Sequence, residues 1–216
     1  MPAVGLEISY INNDQLMPGD ILLKYGDGSA LSGLISWGQS LIQSKTTKQG
    51  NSNIVHAGIM LDGENIIESQ GSGVTKNNLR THNLNYDYEV YRCLLTNVAE
   101  MAASVASLIL AHHSASKTAK YSIAGAAGSL FKNHPAANIG VLNATLQALS
   151  TGKGQKFFCS QFVVCTFQYA AAQNGLSAQS MFELSNSAYS PNKLKDDLFK
   201  SQFFYKAGML QRGIRI

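Results

Sequence analysis

A cysteine, a histidine and a glutamate in this chain are of the types that together can activate a thiol as a nucleophile. Cys159 opens the segment Phe158-Cys159-Ser160-Gln161-Phe162-Val163-Val164, where a polar stretch gives way to an apolar helix. A thiol at a helix N-terminus meets unpaired N–H groups and the positive end of the dipole, and both favour the thiolate. The same N–H groups can hold an oxyanion. Cysteine attacks a carbonyl as the thiolate, so it needs that environment or a histidine partner. His56 could be the partner, and Glu68 could fix its tautomer. Set against this, cysteine is among the most buried residue types, and a lone cysteine on an apolar helix is ordinarily core. Cys93 and Cys165 read that way. Spacing alone leaves Cys159 open between the two, because the contact with His56 is spatial.

The elements that would position these groups are legible. Ile54 to Leu61 alternates as a strand, with Val55, Ala57, Ile59 and Leu61 on a core face. His56, Gly58 and Met60 then face the other way, and Gly58 leaves room beside the imidazole. Asn65 to Ser69 is a second strand, joined through Asp62-Gly63-Glu64. That loop pairs Leu61 with Asn65 and Gly58 with Glu68. Glu68 becomes the diagonal neighbour of His56, about 7–8 Å away between Cα atoms. Gln70, two residues on and on the same face, is the other candidate for the third member. A slip of one residue would turn Glu68 into the core face, at a high cost for an unpaired charge.

Around these, Met17-Pro18-Gly19-Asp20 is a turn launching a strand at Ile21-Leu22-Leu23, and Tyr88 to Leu94 and Phe203 to Tyr205 read as further strands. Helices are expected over 30–44, over the Ala-rich 97–113, in short pieces around 124–131 and 139–149, and over 158–174 with a stop at Asn174-Gly175. Another starts at Ser190-Pro191. Strands early and helices late indicate an α+β layer fold.

The 216 residues fit one domain over 1–216, with 97–156 as an Ala/Gly-rich insertion. Only 14% are charged, against about 25% in ordinary proteins. With 17 basic and 13 acidic residues the net charge is +4, and no dense Lys/Arg run appears, so nucleic acid is not an expected partner. The three cysteines match no zinc spacing or disulfide framework. His112-His113 ends the Ala-rich helix, where it complements the dipole, His82 and His134 lie in polar loops with no partner at metal spacing, and no nucleotide-binding fingerprint occurs, so no cofactor or metal is expected. The stretch from Met101 to Ala111 is too short to span a bilayer. MPAVGLEISYINND lacks a basic start and an apolar core, so the chain is expected to be made in the cytosol without a signal peptide.

Taken in order, these segments resemble the circularly permuted branch of the NlpC-type, papain-like cysteine peptidases and amidases. Pro18-Gly19-Asp20-Ile21-Leu22-Leu23 resembles the opening Gly-Asp strand, and Val55-His56-Ala57-Gly58-Ile59 the histidine strand. Ile66-Ile67-Glu68-Ser69 with Gly71 and Gly73-Val74 resembles the acidic strand, and Phe158-Cys159-Ser160-Gln161-Phe162-Val163 the nucleophile helix. Ser190-Pro191-Asn192-Lys193-Leu194 resembles a common late segment. In the ordinary family the cysteine precedes the histidine; here it follows, which marks the permuted branch. The resemblance implies a papain-like α+β domain, a small antiparallel sheet packed on the nucleophile helix. It implies Cys159 as nucleophile, His56 as base and Glu68 as orienter, with Tyr121 as a looser match to a family tyrosine. It implies cleavage of peptide bonds in bacterial peptidoglycan, and a toxin exported by a dedicated machine into a target cell's periplasm would fit, opposed by an immunity protein. The rival readings are a lipid acyl hydrolase or acyltransferase of the lecithin:retinol type, with contact to a membrane surface, and a non-catalytic binding module on the same fold.

Overall fold

The computed structural model describes residues 9–26, 54–70, 73–115, 159–183 and 189–211. Six strands form one antiparallel sheet: β1 (Ile21–Tyr25), β2 (Ile54–Met60), β3 (Asn65–Gln70), β4 (Gly73–Asn78), β5 (Tyr88–Cys93) and β6 (Phe204–Leu210), in the order β4-β3-β2-β1-β5-β6. Among the described residues the α-helices are α1 (Thr96–Ala115), α2 (Cys159–Gln173), the single turn α3 (Ala178–Met181) and α4 (Pro191–Lys200). The architecture is mixed α+β.

Both faces of the sheet are covered. On one face, Ile21, Leu23, Ala57, Ile59 and Ile67 pack with the helices in the larger core. On the other, Leu22, Met60, Ile66, Tyr88 and Val90 are sealed by Ile11 and Leu16 from the N-terminal segment and by Leu79. This explains why β1 reads as an unbroken apolar run rather than an alternation. Met60, on the same face as His56, is completely buried. Leu61 and Val55 are only half-buried.

Local chemistry fixes the strand register. Asp62 Oδ1 accepts hydrogen bonds from the backbone N–H groups of Glu64 and Asn65 at 2.8 and 2.7 Å, which closes the β2–β3 turn. Leu61 N–H then donates to Asn65 O at 2.8 Å, and Gly58 faces Glu68. The β2–β3 hairpin is therefore as the sequence predicts. β4 was not foreseen: in Gly-Val-Thr-Lys-Asn-Asn only Val74 is buried, so no apolar alternation announces it. β6 runs well past Tyr205. The helices at 30–44, 124–131 and 139–149, Tyr121 and His134 lie outside the described residues. Of the stretch 97–156, the described part is helix α1, whose Val98, Ala102, Val105 and Ile109 belong to the larger core.

Two devices lock the start of β1. Gly19 has φ +84°, and a Cβ there would lie 2.4 Å from Ala99 O on α1, so only glycine fits. Asp20, fully buried, accepts from Met17 N–H at 2.9 Å and takes a two-pronged contact from Arg92, Nε to Oδ1 at 2.8 Å and Nη2 to Oδ2 at 2.7 Å. Removing one member of a buried pair strands the other charge. Arg92→Met is therefore expected to lower the unfolding free energy by about 3 kcal/mol in urea titration. A loss under about 0.5 kcal/mol, typical of an exposed pair, would contradict that role.

Candidate active site

Helix α2 places Cys159. It is buried along its whole length, and its first turn is clamped from outside. Ser160 Oγ donates to Tyr189 O at 2.6 Å. Three residues further on, Asn192 Oδ1 accepts from Ile54 N–H at 3.2 Å. The segment leading into α4 thus ties the start of α2 to the start of β2, the strand that carries His56. Ser190 caps α4 by accepting from Lys193 N–H, with Pro191 in the first turn, as the sequence indicates.

The thiol and the imidazole come from different layers. His56 shares a face with Met60, on the side away from the helices, whereas α2 packs on the opposite face. They meet because the β2–β3 ladder ends at Gly58–Glu68. Beyond that pair the strands part. Alternation along β2 aims the Ala57 N–H toward β3, on the same side as the Leu61 donor. With no ladder partner there, it donates to the Cys159 sulfur instead. The Ser160 N–H, in the first turn of α2, donates to the same sulfur.

Cys159 hydrogen-bonds to His56, and His56 Nε2 lies 3.2 Å from Glu68 Oε1. The His56–Glu68 contact is an ion pair rather than a well-aligned hydrogen bond. With Nε2 turned to Glu68, Nδ1 is the ring nitrogen left for the sulfur. Gly58 makes this possible: a Cβ there would lie 2.6 Å from Ile66 Cδ1 and 2.9 Å from Glu68 Cγ. Glu68 is 2% exposed, and its second oxygen accepts from Asn77 Nδ2 at 2.8 Å and Asn83 Nδ2 at 3.2 Å. Gln70 is exposed at the far end of β3, so the acid beside the histidine is Glu68.

The electrostatics favour a thiolate–imidazolium pair. Burial by itself pushes the Cys159 thiol up, but the adjacent His56 charge, the His56 hydrogen bond and the two N–H donors hold it below the usual thiol range. Burial alone would push His56 down; the Cys159 sulfur and then Glu68 outweigh it and hold the imidazole up at about 10. Burial would raise Glu68, and His56, Asn77 and Asn83 hold it low instead, so it stays ionised. The three residues singled out from sequence are thus in one place. Asn77 and Asn83 were missed: neither lies in an apolar pattern, and each reaches Glu68 from a different segment.

The other candidates stay apart. Cys93 and Cys165 are buried, and burial pushes the Cys93 thiol up. The His82 ring meets its neighbour Thr81, Nδ1 to Oγ1 at 3.0 Å. Among the described residues no group of three or more His, Cys, Asp or Glu side chains could hold a metal, and no helix is long and apolar enough to cross a membrane. No family model, curated protein or solved structure matches this chain.

The paired charges favour the thiolate form of Cys159. Iodoacetamide should alkylate Cys159 with a midpoint well below the free-cysteine value of about 8.5, while Cys93 and Cys165 resist. His56→Ala should move that midpoint up by more than about one pH unit. Gly58→Ala, which displaces Glu68, should move it in the same direction. A wild-type midpoint at the free-cysteine value would contradict the paired state.

Proposed function

We propose that this chain is a thiol hydrolase of the permuted NlpC, papain-like type, cleaving amide bonds through Cys159, His56 and Glu68. The observation that carries the reading is one contact: a thiol at a helix start hydrogen-bonded to an imidazole that a buried carboxylate backs. The order of the parts supports it too. The histidine and acid strands come first and the nucleophile helix follows, packed on an antiparallel sheet.

The chemistry follows from the charges. The Cys159 thiolate adds to the amide carbonyl, and the first-turn N–H groups of α2 are donors suited to the oxyanion. The intermediate collapses as the His56 imidazolium gives its proton to the leaving amine, producing a thioester and a free amine. Neutral His56 then takes a proton from water as it attacks the thioester. The C–S bond breaks and expels the Cys159 thiolate, the ion pair reforms, and the carboxylic acid product gives its remaining proton to solvent. Glu68 holds the ring and its charge through both steps.

Stem peptides of bacterial peptidoglycan are the proposed substrate. The motifs resembling the NlpC-type enzymes support that choice, and the mild positive charge of +4 suits an anionic wall polymer. Delivery to a target cell's periplasm by a dedicated secretion machine, opposed by an immunity protein, extends the same reading.

Purified peptidoglycan digested with the protein should release cleaved stem peptides by mass spectrometry. Cys159→Ala and His56→Ala should abolish release, and Glu68→Gln should lower it less than either, because the amide can still orient the ring but no longer supplies the charge that supports the imidazolium. Both charges are needed, so the rate should rise with pH as Cys159 ionises, below the usual thiol range, and fall as His56 loses its proton near about 10. Intact muropeptides alongside fatty acid released from lipid vesicles would assign the site to lipid acyl groups. Function unchanged in Cys159→Ala would make the fold a binding module.

A further inference from the structure

We propose that Asn77 and Asn83 are positioning residues: by pinning one oxygen of Glu68 they aim the other at His56, and so set how far the Cys159–His56 pair is ionised at neutral pH. The inference deepens the hydrolase reading, and it rests on that reading for its consequence in catalysis, but its test needs no substrate.

The geometry divides the carboxylate between two tasks. Oε1 faces His56 Nε2 at 3.2 Å, and Oε2 accepts from Asn77 at 2.8 Å and from Asn83 at 3.2 Å. Both donors are neutral amides. A lysine or arginine in their place would compete with the imidazolium for the carboxylate's charge. An amide stabilises the anion and leaves its full charge for His56. Lys24 on β1 stands across the ladder from His56 and is buried, with its ammonium 3.0 Å from the Tyr86 ring centroid. The groups that support the imidazolium are the Cys159 sulfur from α2 and Glu68 from β3. Tyr88 on β5 shares this face, and its phenol accepts from the same Asn83 amide at 3.0 Å.

Both amides are themselves well anchored. Asn77 lies on β4, opposite Ile66 in the β3–β4 ladder. Asn83 is 6% exposed, and its N–H donates to Asn78 O at 3.2 Å. The turn that carries it is fastened to the β2–β3 hairpin, Leu79 N–H to Glu64 O at 2.8 Å and Arg80 Nε to Glu64 Oε1 at 3.0 Å. One hairpin therefore carries His56, Glu68 and the anchor for the turn behind them.

The test is the pH dependence of iodoacetamide alkylation at Cys159 in the full chain, for wild type, Asn77→Leu, Asn83→Leu and the double variant. Each single variant should raise the midpoint by about one pH unit, or roughly tenfold less thiolate below the midpoint, and the double variant by more. Tyr88→Phe leaves the Asn83 donor to Glu68 in place and should keep the wild-type midpoint. Asn77 is half-buried on an edge strand, so Asn77→Leu carries the test alone if Asn83→Leu does not fold. Variants that melt at lower temperature but keep the wild-type midpoint would overturn the inference and reduce both residues to structural parts. A shifted midpoint with no cleavage of peptidoglycan would leave the inference standing while the substrate reading falls. An ordinary thiol midpoint in the wild type would end both.

Discussion

A thiolate and an imidazolium can lie together out of water only if the protein supplies what water would have given each of them. The site of this chain does so in series. The Ala57 and Ser160 N–H groups point at the sulfur, the Glu68 carboxylate faces the ring, and the Asn77 and Asn83 amides hold the carboxylate. Each partner removes the reason for the next charge to be neutralised. Breaking the series at any point leaves a buried charge unmatched, and a pKa shift that returns the group to its neutral form is then the cheaper outcome.

The fold is arranged around a gap. An antiparallel ladder normally continues until a turn stops it, yet β2 and β3 part after Gly58–Glu68 while β3 keeps pairing with β4 as far as Gln70–Gly73. That parting lets a helix on one face of the sheet deliver a sulfur to a ring on the other. A glycine at 58 keeps the path between ring and carboxylate clear, and the clamp of Ser160 on Tyr189 holds the helix start in register with the gap. Side chains on a strand and a fully buried helix are positioned with less freedom than side chains on loops.

The hairpin was legible because local rules govern it. Asp62-Gly63-Glu64 sets the turn, the turn sets the register, and the register sets Glu68 diagonal to His56. The start of α2 at Cys159 was equally legible from the switch to an apolar run. That the two should meet is a property of the tertiary fold, and only the order of motifs pointed to it. The support behind Glu68 was not legible. Asn77 sits on a strand without apolar alternation, and Asn83 sits in a turn whose polar residues look like solvent-facing loop. The second buried face was hidden for a related reason: its cover comes from Ile11, Leu16 and Leu79, isolated apolar residues in otherwise polar segments.

The charge on the His56 ring is read directly by nitrogen NMR of a sample labelled at histidine. At about pH 8, where an ordinary histidine of pKa about 6.5 is neutral, both ring nitrogens of His56 should carry protons, and the signal should revert to neutral imidazole in Cys159→Ser. A wild-type His56 that is neutral at that pH and titrates near the ordinary value would contradict the account.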